Sequence, residues 1–244
     1  MYENTIMPVL LGEFEGPMPF FTHLMNFEKR FKACSYIYYI RGPKKNIIVD
    51  CGGSMEHAKP PIPGFDARDV CTPEEGLGKI GLTCDDIDIV ILTQLHPDHV
   101  EYAHKFKNAR FVVQKDELEF GLNPHESFAF AYQKDMFKDL NFDIVEGDRE
   151  ITGGVSVLLT QGHSPGGQSV MVENGKNKLI ITGFCCIGEN FTPPEPISKI
   201  MPVLIPSIIT DPFQLYDSMK RVKKLADVII PLHDAAFADK KEIC

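Results

Sequence analysis

The sequence predicts an α/β (α+β) protein built as a four-layer αββα sandwich, two facing mixed sheets with helices on the outside. Three observations carry this: short β-branched runs alternate with helical stretches, the centre of the chain reads as an antiparallel meander, and histidines gather just past strand ends. At 244 residues, with 43% hydrophobic and 24% charged residues and no evident linker, the chain can bury one large core, so a single domain over 1–244 is expected.

In chain order, the strands are expected at Ile47 to Asp50, Ile87 to Thr93, Phe111 to Gln114, Val155 to Thr160, Ser169 to Val172, Leu179 to Thr182 and Val228 to Pro231. Helical character falls at Pro73 to Ile80, Lys115 to Gly121, His125 to Asp139 and Pro212 to Leu225. Short Gly-, Ser- and Asn-rich loops join the three strands between 155 and 182, which makes them a meander rather than a dinucleotide-binding unit. The proline-rich stretches Lys59 to Gly64 and Thr192 to Pro206 read as surface loops able to cover a site.

Composition narrows the function. A formal charge of −9 without a Lys/Arg block argues against nucleic acid and anionic membranes and for a small-molecule substrate. The first thirty residues lack the pattern of a signal peptide, and no segment reaches transmembrane length. Seven scattered cysteines without a C-x-x-C pair fit reduced thiols, so a cytoplasmic setting is expected. Oligomeric state leaves no trace in the sequence.

The chemistry concentrates where the apolar run Ile91-Leu92 meets Thr93-Gln94-Leu95-His96-Pro97-Asp98-His99. Two imidazoles and a carboxylate within four residues suit zinc, manganese or iron. The competing reading makes Asp98 a helix N-cap. Two further strand ends present a histidine, His163 in Gly162-His163-Ser164-Pro165-Gly166 and His233 in Pro231-Leu232-His233-Asp234, and three such placements favour a metal site. His104, His57, His23 and Tyr102 have no comparable setting. The aromatic segment with Phe20, Phe21, Phe27 and Phe31 suits a pocket wall or the core equally, and Cys51 reads as structural.

The order of these segments resembles the metallo-β-lactamase superfamily, in particular its branch of N-acyl homoserine lactone lactonases, over nearly the whole chain. Val49-Asp50-Cys51-Gly52 resembles the V-D-T-G turn, Gln94 to His99 the H-x-H-x-D-H signature, Ala109 to Glu117 the strand and helix start that follow it, Gly162 to Gly166 the G-H-[ST]-P-G turn, and Pro231 to Asp234 the terminal P-G-H-D. The resemblance implies one metal site at positions 94, 96 and 163 and another at Asp98, His99 and His233. It also places Asp50 and Asp234 where they would hold ligand histidines by their other ring nitrogens.

Two family ligands are absent. Gln94 stands for the first histidine, and Ile181-Thr182-Gly183-Phe184-Cys185-Cys186 carries no bridging aspartate. One firmly held divalent ion per chain is therefore expected on Asp98, His99 and His233, zinc first, manganese or iron as alternatives. His96 and His163 would be ligands of a second, weaker ion, with Gln94 as a weak ligand, or would bind the oxyanion and leaving group. A thiolate from Cys185 or Cys186 could replace the aspartate, although core packing suits the pair better.

The expected function is hydrolysis of a small lactone, ester, thioester or other cyclic carbonyl compound by metal-bound hydroxide, with Asp98, His96 and His163 as the catalytic residues. The rivals are a non-catalytic small-molecule-binding member of the fold and an iron-dependent redox enzyme.

Overall fold

A computed structural model describes residues 2–59 and 63–244. The first sheet has seven strands. It is built from β1 (Thr5–Pro17), β2 (Arg30–Arg41), β3 (Ile47–Val49), β4 (Asp66–Asp69), β5 (Ile89–Ile91), β6 (Arg110–Gln114) and β7 (Phe142–Val145), in the order β4-β1-β2-β3-β5-β6-β7. The second has five: β8 (Arg149–Thr152), β9 (Val155–Leu159), β10 (Gln168–Asn174), β11 (Asn177–Ile181) and β12 (Val228–Ile230), in the order β12-β11-β10-β9-β8. Among the described residues six α-helices accompany them: α1 (Met55–Ala58), α2 (Pro73–Gly78), α3 (Pro97–Val100), α4 (Lys115–Leu122), α5 (Gly188–Phe191) and α6 (Pro212–Leu225).

The layers follow from side-chain alternation. Ile47 and Val49 of β3 join Tyr36 and Tyr38 of β2 and Val112 of β6 in a core shared with Val157, Val170 and Ile181 of the second sheet. Ile48, Val90 and Val113 point the other way and meet Leu77, Val100 and Phe106 on the helical side. Leu158 and Ile180 turn outward from the second sheet onto Leu215, Met219 and Val222 of α6. Strands apolar on both faces thus require helices outside as well as a partner sheet inside, which is the expected αββα sandwich.

The meander of β9, β10 and β11 is antiparallel as expected, whereas β3, β5 and β6 run parallel, as do β11 and β12. The carboxyl ends of the parallel strands deliver their loops to one rim, where ligands of open sheets gather.

Two expectations are corrected. The stretch His125 to Asp139 is no α-helix but two 3-10 turns, Glu126–Ala131 and Lys134–Met136. Tyr132 lies between them in extended backbone, and its hydroxyl donates to Glu117 across the core, a tertiary bond that overrides local helical preference. The long antiparallel pair β1 and β2, with β4, β7 and β8, was not foreseen. Of the loop Lys59 to Gly64, residues 60–62 lie outside the described residues, while the stretch Thr192 to Pro206 packs beside residues 21–23 through Asn190 and Ile205. No helix among the described residues is long and apolar enough to cross a membrane.

Candidate metal centre

Four strand ends converge on the site. β5 leads through Leu92 to the turn that holds Gln94, His96, Asp98 and His99; β3 ends at Asp50; β9 ends at the turn of His163; β12 ends at His233. Asp98 sits in the first turn of α3, but the cap position is His96 and the Asp98 carboxylate faces the histidines instead. The N-cap reading of Asp98 is therefore set aside.

Asp98, His99 and His233 are the only group of three His, Cys, Asp or Glu residues among the described residues whose ligand atoms all lie within 4.8 Å of one another. Asp98 Oδ2 is 3.0 Å from His99 Nε2 and 3.5 Å from His233 Nε2. Two ligands on one tetrahedral zinc, at bonds of about 2.0–2.1 Å, stand about 3.3 Å apart, so the donor set has the spacing of a shared ion.

Three of the four imidazoles are held from behind. His99 Nδ1 donates to Asp50 Oδ2 at 2.8 Å, His233 Nδ1 to the Cys34 carbonyl at 2.9 Å, and His163 Nδ1 to the Ile208 carbonyl at 2.9 Å. These bonds fix the rings and leave Nε2 of each facing inward. The Nε2 atoms of His96, His99 and His163, with both amide atoms of Gln94, are buried and have no hydrogen-bond partner. Buried polar atoms left unsatisfied in this way cost about 1–3 kcal/mol each, so their convergence marks a place built for a ligand.

Asp50 takes a left-handed backbone conformation (φ 58°) that aspartate tolerates, and it also accepts from the Thr93 amide at 2.7 Å and hydroxyl at 2.8 Å. That ties the end of β3 to the metal-binding turn. Asp234, expected to hold a histidine, does not: it accepts from the amides of Gly188 (2.6 Å) and Ala236 (2.9 Å). Its place behind His233 is taken by β2, because the Cys34 amide donates to the His233 carbonyl, His233 Nδ1 donates to the Cys34 carbonyl, and the Tyr36 and Tyr38 hydroxyls donate to the carbonyls of Asp234 and Leu232.

Charge divides the centre. Burial opposes a charge on His99, yet Asp98 and Asp50 outweigh it and raise the imidazole to about 10; this pocket prefers a cation. Burial would likewise raise the Asp98 carboxyl, but His99, His233 and His96 hold it below the ordinary carboxylate range. At His163 burial dominates and takes the imidazole down to about 4, and at His96 burial likewise holds it well below its ordinary value. With Nδ1 donating to Ile208, the neutral His163 ring presents a lone pair at Nε2. It is therefore an acceptor, not the oxyanion donor the sequence suggested.

Gln94, His96, Asp98, His163, Cys185 and His233 share a small cavity of about 40 Å³, roofed by Phe14, Phe20, Ala58 and Ile208. Phe20 thus serves the pocket while Phe21 packs in the core and Phe27 is exposed. Asp98 keeps 16% of its side-chain surface exposed, the largest opening among the three clustered donors. Burial keeps the Cys185 thiol well above its ordinary value, and Cys186, pushed up to about 12, is 3.1 Å from the Thr182 hydroxyl, so both behave as thiols.

Glu117, which sequence reasoning quoted without a role, lies fully buried behind both turns. Its carboxylate accepts from the amides of Leu95 (3.0 Å) and Gly166 (3.1 Å) and from the Tyr132 hydroxyl (3.1 Å), and the Tyr132 ring stands edge-on to His96. A carboxylate one turn into a helix after a buried strand was the available signal. His57 pairs with Glu101 at the surface, and Cys51 is core.

The profile of the metallo-beta-lactamase superfamily matches residues 35–223. An N-acyl homoserine lactonase from Bacillus thuringiensis is 35% identical over 152 residues, 61% of this chain and 55% of that protein. The aligned stretch thus spans about half the length of such curated relatives. A crystal structure of an N-acyl homoserine lactone hydrolase, with the product N-hexanoyl-L-homoserine at its catalytic metal centre, superposes with a TM-score of 0.75 at 25% identity, covering 97% of this chain and 95% of that one. A probable metal-dependent hydrolase from Staphylococcus aureus shares the fold, with a TM-score of 0.78 at 18% identity over 96% and 91% of the two chains. The matched profile takes in the β5 turn, Asp50 and the His163 turn, and the chain belongs to the metallo-β-lactamase superfamily.

Proposed function

We propose that this chain, acting as one domain, is a metal-dependent hydrolase of small lactones, esters, thioesters or other cyclic carbonyl compounds, with one divalent ion, zinc first, held by Asp98, His99 and His233. The observation that carries it is the convergence of three donor atoms within 4.8 Å, with His99 and His233 each oriented by a bond on the far side of the ring. The kinship with N-acyl homoserine lactonases supports the lactone end of this range. The seven free cysteines support a reducing, cytoplasmic setting.

An ion there supplies Lewis acidity toward a carbonyl oxygen and a water acidic enough to attack near neutral pH. The chain supplies the rest. Asp98, open to the cavity, orients the incoming water with the carboxylate oxygen not facing the imidazoles. Gln94 offers an amide N–H to the carbonyl oxygen as charge develops on it. His163, its Nε2 unprotonated, accepts a proton-bearing group of the substrate or product. Phe14, Phe20 and Ile208 exclude bulk water from the cavity.

The test is turnover of a panel of γ- and δ-lactones, aryl esters and thioesters by zinc-loaded protein, before and after chelation. Hydrolysis lost on chelation and restored by zinc is the expected result. Hydrolysis indifferent to chelation contradicts the proposal, and lactone binding without any turnover would favour the non-catalytic reading.

A further inference from the structure

We infer that Gln94, His96 and His163 form a hydrogen-bonding subsite without a carboxylate that receives an uncharged N–H or O–H group at or beside the scissile carbonyl, in the place where relatives of this fold would put a second metal ion. The inference rests on the hydrolase reading for the word substrate, but the subsite itself stands on its own geometry.

The first observation is charge. The pocket around Asp98 has two carboxylates, Asp98 and Asp50, to offset a dication. The opposite half offers two imidazoles and an amide, and the backbone that would supply a bridging carboxylate is Gly183-Phe184-Cys185, which carries none. A second dication there would sit in a low-dielectric pocket with no anion of its own, a severe electrostatic cost.

The second observation is the set of atoms awaiting a partner. Gln94 is 1% exposed, and neither amide atom is bonded; His96 Nε2 and His163 Nε2 are equally alone. The Ile208 carbonyl can only accept, so His163 Nδ1 carries the hydrogen and Nε2 the lone pair. The subsite therefore shows a fixed acceptor at His163 beside the donor and acceptor of Gln94. A carboxylate or phosphate oxygen would face that lone pair with no hydrogen to offer it, whereas an amide N–H or a hydroxyl satisfies it. The cavity, about 40 Å³, admits the polar end of a small molecule and no more.

The experiment uses the full chain, zinc and two probes that differ by one donor, 2-pyrrolidinone and N-methyl-2-pyrrolidinone. Zinc per chain is counted by elemental analysis after equilibration with excess zinc, and probe binding is followed by ligand-observed NMR titration. The expected results are about one zinc per chain, rising to about two in Cys185→Asp, which supplies the missing anion beside His96 and His163, and about tenfold tighter binding of the N–H probe. Two zinc ions in the unaltered chain, or equal binding of the two probes, would overturn the inference. Both of these are read on the unaltered chain, so a variant that fails to fold does not remove the test. A chain that holds no zinc yet keeps the donor preference would sink the hydrolase reading alone and support the subsite.

Discussion

On one side of the cavity stand Asp98, His99 and His233; on the other stand Gln94, His96 and His163. Each side has two imidazoles and one further polar group, all buried but the partly open Asp98, and each comes from strand-end turns on the same rim. His233 and His163 both rest on backbone carbonyls, so the sides differ in their carboxylates. His99 rests on the Asp50 carboxylate and shares Asp98, so the first side draws positive charge toward it. His163 rests on a backbone carbonyl, and burial strips its proton, so the second side stays neutral. The number of histidines does not decide what a buried site can hold; the carboxylates around them do.

The sharpest way to break this comparison is to exchange charge for an amide. Asp98→Asn should weaken zinc binding by more than about 100-fold and reduce hydrolysis to background, whereas Gln94→Leu should leave the zinc content unchanged. Equal zinc loss in the two variants, measured by competition with a fluorescent chelator, would erase the distinction. Next in size is Asp50→Asn. Asparagine tolerates the left-handed backbone at this position, so folding should survive, while zinc affinity falls by about 10–100-fold because the His99 ring loses its anionic partner.

A smaller effect concerns the neutral side. Gly162 has φ 118°, and a β-carbon there would lie 2.1 Å from the backbone nitrogen of Leu215 at the start of α6. Gly162→Ala should therefore cost about 1–3 kcal/mol in urea unfolding and displace His163 with its turn. Unchanged stability would mean that the turn can move freely.

The smallest effect lies outside the cavity. His57 Nδ1 is 2.8 Å from Glu101, whose bond and charge raise its pKa above the ordinary 6.5. The folded value is the higher one, so the pair's contribution is full below pH 6.5 and disappears as pH rises through the raised value. With half of the imidazole exposed, it should be worth about 0–1 kcal/mol. Comparing the unfolding of His57→Ala with the parent at about pH 5.5 and about pH 9 measures it; a loss confined to high pH would reverse the sign.

The layers and the donor set were legible in the sequence because they rest on local signals: apolar runs such as Ile89 to Ile91, and histidines one turn past them. The supports were not, because they are made by backbone or by distant residues. The Cys34 and Ile208 carbonyls have no identity a sequence could announce, and Asp234 stood in the right place for a role that β2 performs. The strand β2 did carry a signal, the aromatic and β-branched run Ser35 to Ile40, which histidine-centred reading passed over. His125 to Asp139 failed for the opposite reason, since its tertiary contacts, Tyr132 bonded to Glu117 and Phe137 buried in the core, outweigh its helical composition.

The most direct test of the charged half is the zinc content of the purified, zinc-loaded chain beside its His233→Ala variant. About one ion per chain in the parent and close to none in the variant is the predicted result, since three donors become two. Equal zinc in both proteins would contradict the assignment of Asp98, His99 and His233 as the ion's ligands.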